Sequence, residues 1–111
     1  MGYDIDITHN GERIERLYMT YNHSQLFTKY NIYPRDFNGK TVAEIIPAYL
    51  EAKKVLESAG VSGNIYTDAS SAYKYSDSKL YEVNDDVILY VVKDTLQVLC
   101  SCPNNATWES D

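Results

Sequence analysis

Between residues 24 and 41 three bases, Lys29, Arg35 and Lys40, stand against one acid, Asp36, in a chain whose formal net charge is −6. Tyr21, Tyr30 and Tyr33 are interleaved with these bases, and the stretch ends at Thr41, where a helix is expected to begin. Free N–H groups at a helix start attract anions, and nearby cations add to that attraction. Phenol rings offer faces on which a nucleobase can stack. Tyr21, Asn22, His23, Lys29, Tyr33, Arg35, Lys40 and Thr41 therefore form a candidate binding set for a small nucleotide-type anion. The competing reading of the same residues is a solvated loop whose bases offset neighbouring acids.

Other chemistry finds less support in the residue pattern. Gly39-Lys40-Thr41 has the ending of a phosphate-binding loop, but Pro34 occupies the position of the first glycine, which argues against a nucleoside triphosphatase. Cys100 and Cys102 are separated by one residue, not the two usual at zinc sites, and His9 and His23 lie far away in sequence, so no metal is expected. His9, beside Asn10-Gly11, reads as a turn residue. A Cys100–His23 pair could in principle serve nucleophilic catalysis, yet Cys100 closes an apolar helix, where thiols are usually inert. There is no nucleophile elbow, catalytic carboxylate pair or glycine-rich cofactor loop. A non-enzymatic protein without cofactor is the expectation, with His23 either a neutral polar group at a helix start or a partner in the cap.

The acidic balance argues against direct nucleic-acid binding, which needs clustered bases to displace counterions. Residues 84 to 111 carry five acids and one base, enough for an acidic face that could occupy a nucleic-acid-binding protein. Eleven tyrosines stand against two phenylalanines and one tryptophan. Tyrosine suits interfaces and wet pockets, so a homodimer or higher homo-oligomer is expected. The acidic, alternating N-terminus and the lack of a long apolar run speak against a secretory signal or membrane span. A cytoplasmic location follows as an expectation, with both cysteines reduced and the sequons at Asn22 and Asn105 unused.

The elements that must position the candidate set are legible in outline. Tyr3, Ile5 and Ile7 alternate with Asp4, Asp6 and Thr8, as in a half-buried strand, and Asn10-Gly11 signals a hairpin. A bulge near Glu15-Arg16 would place Leu17 opposite Ile5 and Met19 opposite Tyr3. Asn22-His23-Ser24 is read as a cap leading into a short helix through Leu26, Phe27 and Tyr30. Residues 31 to 40 read as a loop. Thr41 and Glu44 fit a capping box for a helix ending at Gly60, with Pro47 either kinking it or delaying its start to about residue 46. Residues 61 to 83 read as a long loop with a helical turn near Ala69 to Tyr73. Asn84 caps a final helix to Cys100 that buries Ile88, Val91, Val92, Thr95, Leu96 and Leu99, and Thr107-Trp108-Glu109 is a closing strand. The order gives one α+β domain: a small antiparallel sheet, from the N-terminal hairpin and C-terminal strand, with two to three helices on one face.

Thr20-Tyr21-Asn22 before a short apolar helix, Gly39-Lys40-Thr41 leading to Glu44-Ile45-Ile46-Pro47, and a closing helix ending at Cys100 before Pro103 form a recurring combination. In these features, and in the terminal strand containing Ala106 and Ser110, the chain resembles an uncharacterised family of small phage and bacterial proteins. The resemblance implies a viral or bacterial accessory protein and brings no established activity. Joined to the basic, tyrosine-flanked stretch, it leads to the expectation of a bacteriophage anti-defence protein that sequesters a nucleotide immune signal in the host cytoplasm. An acidic inhibitor of a host nucleic-acid-binding effector and a small nucleotide-acting enzyme are the alternatives.

Overall fold

A computed structural model describes residues 1–62 and 78–111 of the chain. The helical turn expected near Ala69 to Tyr73 lies outside the described residues. Strands β1 (Gly2–His9) and β2 (Glu12–Thr20) form a hairpin, followed by α1 (Ser24–Lys29), α2 (Val42–Ser58), α3 (Asp85–Cys100) and β3 (Thr107–Ser110). The sheet runs β2-β1-β3, antiparallel at both pairings. This is the expected α+β arrangement, with the central strand first in sequence.

Asn10 and Gly11 both have positive φ, 54° and 79°, the requirement of the turn whose twist matches a two-residue hairpin. That turn sets His9 opposite Glu12, and the pairing then shifts by one residue. Thr8 faces Arg13 and Ile7 faces Glu15, so Ile14 is the extra residue, 40% exposed. The bulge therefore sits just before the expected Glu15-Arg16 position. Beyond it, Leu17 faces Ile5 and Met19 faces Tyr3, which keeps one apolar row on the helix side of the sheet. The same shift brings Arg16 onto Asp6, with Nε 2.8 Å from Oδ1, and Arg13 to 3.9 Å from the same oxygen.

The cap after β2 differs from expectation. Thr20 supplies it: its hydroxyl oxygen accepts from the Asn22 N–H, and a 3-10 turn, Tyr21–His23, intervenes before α1. Asn22 is part of that turn and its N–H is the group capped, while His23, at the start of α1, makes no side-chain cap hydrogen bond. A hydroxyl at the last strand residue already captures the first free N–H.

Helix α2 starts at Val42, not near residue 46, because the Thr41–Glu44 capping box is complete. Pro47 lies inside the helix, where its missing N–H removes one main-chain hydrogen bond. Val42, Ile45, Tyr49, Ala52 and Leu56 form its buried stripe. In α3 the Asn84 side chain accepts from the Val87 N–H, and all six expected stripe residues are buried, joined by Val87 and Leu89. Trp108 on β3 is fully enclosed and meets the rings of Phe37 and Tyr49 at 5.7 and 6.1 Å.

The outer edge of β3 is closed by the chain segment that leads into α2. Gly39 N–H donates to Trp108 O, Trp108 N–H donates to Lys40 O, and Thr41 bridges Thr107. The Asn38 amide continues the pattern, donating to Ser110 O and accepting from Ser110 N–H. A side chain thus stands in for a strand residue.

Candidate functional site

The segment holding Tyr33 and Arg35 is fixed from beneath. A 3-10 turn covers Pro34–Phe37, and both end residues are buried. Trp108 Nε1 donates to Pro34 O at 2.8 Å in the interior. Arg35 therefore stands between two buried anchors and reaches back across the end of the sheet.

There it meets three tyrosines. Tyr3, at the start of β1, is 2% exposed. The ring of Tyr21 stands at 88° to it with centroids 4.7 Å apart, and that of Tyr33 at 85° and 5.6 Å. Edge-to-face contacts of this kind align the positive rim of one ring with the negative face of another. The Arg35 guanidinium carbon lies 5.2 Å from the Tyr3 centroid and 5.9 Å from that of Tyr21, within cation–π range. Arg35 Nε donates to the main-chain oxygen of Asp111 at 2.9 Å, and Nη1 approaches the Tyr33 hydroxyl at 3.5 Å. Among the described residues no Asp or Glu side chain forms an ion pair with Arg35.

Hydrogen bonding holds the floor of this cluster. The Ser24 hydroxyl donates to Tyr21 O at 2.7 Å. Its oxygen then accepts from the Tyr3 hydroxyl, 2.6 Å away. Tyr3 is thereby locked as a donor, and burial pushes its phenol above the usual range. Tyr21, 38% exposed, keeps part of its ring open, and its N–H donates to Met1 O.

The remaining candidates are placed elsewhere. His23 is 1% exposed, with its Nε2 2.9 Å from Glu82 O and its ring 5.7 Å from that of Phe27. A carbonyl partner requires the proton on Nε2, which leaves Nδ1 buried with no hydrogen-bond partner among the described residues. Burial holds the imidazole below the usual histidine range, against the opposing Glu82 bond. His23 is thus a core group joining the two halves of the chain. Asn22 is exposed beside Tyr21. Lys29 lies 5.2 Å over the ring of Tyr30, whose hydroxyl donates to Asp85 on α3 at 2.8 Å. Tyr30 is therefore tied to the helix layer rather than to Tyr21 and Tyr33.

Lys40 and Thr41 lie at a helix start that is already satisfied. Thr41 N–H and its hydroxyl both donate to Glu44 Oε1, and Glu44 N–H donates to the Thr41 hydroxyl oxygen. Val42 N–H donates to Ala106 O and Ala43 N–H to Asn104 O. The Thr41 N–H and hydroxyl bonds hold the Glu44 carboxyl below its ordinary range. The expected anion contact at the α2 terminus is thereby corrected: the chain's own carboxylate and carbonyls occupy these donors.

Comparison with protein-family models, with curated proteins and with solved structures returns no match. The site rests on its own geometry.

Tyr21, Tyr33 and Arg35 are thus the three expected residues that converge. Tyr3, Ser24 and Asp111 complete the cluster without having been expected there. The hairpin register carried a signal for one of them: Met19 faces Tyr3, and Tyr21 follows Met19 by two residues. A planar guanidinium backed by aromatic rings can stack on a base and can donate in its plane to an oxyanion. Among the described residues no group of three His, Cys, Asp or Glu side chains is arranged to hold a metal ion.

Proposed function

We propose that the chain binds a small nucleotide-type anion on the Tyr21–Tyr33–Arg35 platform and acts by sequestering it, without chemical conversion. The observation that carries this reading is the Arg35 guanidinium, laid on tyrosine faces and paired with no Asp or Glu side chain among the described residues. In a chain of net charge −6, a cation held this way is an attractive site for an anion with an aromatic body. The resemblance to small phage and bacterial proteins supports a counter-defence role in a bacterial host, with removal of a nucleotide immune signal as the outcome. The tyrosine-rich composition supports assembly into a homodimer or larger homo-oligomer.

Titration calorimetry with ADP-ribose and cyclic nucleotides tests the reading. Binding is expected in the native protein and is lost in Arg35→Ala, and nucleotide recovered after denaturation is unchanged. Absence of heat with all of these, or altered nucleotide on recovery, contradicts it.

A second reading draws on the face of the sheet opposite the helices. Asp6 and Glu109 are directly paired across β1 and β3, a like-charge arrangement that Arg16 and Arg13 offset on the Asp6 side. Asp4 and Asp111 adjoin them, with Asp4 N–H donating to Asp111 Oδ1. An acidic face of this kind suits a basic, nucleic-acid-binding protein partner. Co-purification of a host protein, lost on Asp6→Asn/Glu109→Gln and unaffected by Arg35→Ala, would favour inhibition of such an effector.

A further inference from the structure

A cleft apart from the tyrosine cluster lies in the helix layer. Open and of about 310 Å³, it runs along the outer side of the α2–α3 pair, lined by Leu50, Lys53, Lys93, Leu96, Gln97 and Cys100. None of these residues belongs to the tyrosine cluster. Leu50 is 50% exposed although it is large and apolar, while Leu96 lies deeper at 8%. Together they give the cleft an apolar floor. Lys53 forms no ion pair among the described residues, and the Lys93 ammonium is 3.9 Å from Glu57, the long end of the range. Two ammonium groups therefore border an apolar trough on a chain that is acidic overall.

We propose that this cleft binds a short amphipathic carboxylate, its apolar body on Leu50 and Leu96 and its carboxylate between Lys53 and Lys93. Charge decides the class. A cationic or neutral apolar ligand would leave Lys53 without a counter-charge and Lys93 with only its 3.9 Å contact to Glu57, whereas a carboxylate meets both at the rim, where each keeps part of its hydration. The volume is at the small end for ligand clefts, which selects a short chain over a membrane-length one. The lysine stems add apolar contact beside the two leucines.

Cys100 supplies a native reporter. It is exposed in the cleft, whereas Cys102, two residues on, is only partly exposed and not among the lining residues. Alkylation of the reduced, full-length protein with iodoacetamide, read at each cysteine by peptide mass spectrometry, measures occupancy directly. Sodium octanoate is expected to slow Cys100 alkylation several-fold and saturably, with Cys102 unchanged and octyltrimethylammonium without effect. Lys53→Glu/Lys93→Glu is expected to abolish protection while keeping the native circular dichroism spectrum. If that variant fails to fold, Leu50→Asp, at a half-exposed position, serves in its place. Protection equal for the cationic amphiphile, equal slowing at Cys102, or no protection by octanoate overturns the proposal. So does slowing of Cys100 by protein concentration alone, which would assign the cleft to a second copy of the chain.

Discussion

The guanidinium of Arg35 lies 5.2 Å from the centroid of the buried Tyr3 ring, joining residues from opposite ends of the N-terminal third of the chain. Tyr3 brings the hairpin to this contact, and Trp108 brings Arg35 by holding Pro34 O. The platform is therefore a product of the fold and not of one flexible loop.

Arg35→Ala should separate binding from stability. An exposed cation–π contact contributes about 0.5–1 kcal/mol, so the denaturant midpoint should move only slightly while nucleotide affinity is lost. Arg35→Lys keeps the charge but not the planar fork, and should recover only part of the affinity. Calorimetry beside urea unfolding of both variants checks this, and loss of folding in Arg35→Ala would contradict it.

Acid should weaken the fold through His23. Burial holds its folded-state pKa below the ordinary value, while the unfolded chain takes up a proton near about pH 6.5. The contribution to stability is therefore complete above that pH and is lost progressively as pH falls toward the folded pKa. The slope is at most one proton, about 1.4 kcal/mol per pH unit. Urea midpoints from about pH 7.5 to about pH 5 should show this decline, and His23→Gln should flatten it.

At the start of α2, Thr41→Ala should destabilise by about 1 kcal/mol, the usual cost of losing a helix cap. Nucleotide affinity should stay at the native value, because this helix end holds Glu44 and main-chain carbonyls. A loss of affinity greater than the loss of stability would return the helix terminus to the site.

Asn38→Ala should open the covered edge of β3. The amide serves both the N–H and the C=O of Ser110, and leaving such part-buried groups unmade costs about 1–3 kcal/mol. Hydrogen exchange at Ser110 should quicken well beyond any change in β1, with wild-type exchange in the variant as the contrary result.

Local chemistry was the legible part of the sequence. Asn10-Gly11, the Thr41–Glu44 box and the apolar stripe of α3 each act over a few residues, and each is found where its pattern places it. The bulge at Ile14 was nearly so, because pairing Leu17 with Ile5 demands one extra residue in β2. The site was harder to read. Lys29, Arg35 and Lys40 form one basic stretch in sequence, but Lys29 is drawn to Tyr30 and the α3 side, and Lys40 runs along β3. Of the three, Arg35 is the one turned toward Tyr3 and Tyr21, on a segment held by a Trp108–Pro34 bond spanning 74 residues. His23, expected as a neutral group at a helix start or as a cap partner, makes no side-chain cap bond and is core, its imidazole meeting Glu82 O across 59 residues. Contacts of that range leave no local pattern.

The most direct measurement is a titration of the native protein with ADP-ribose, followed by the NMR signals of the Arg35 Nε–H and the Tyr21 and Tyr33 rings. Saturable shifts at these three residues, absent from the Thr41–Glu44 helix start and abolished by Arg35→Ala, are the predicted result. Shifts confined to other residues, or unchanged spectra with ADP-ribose and with cyclic nucleotides alike, would contradict capture of a nucleotide on this platform.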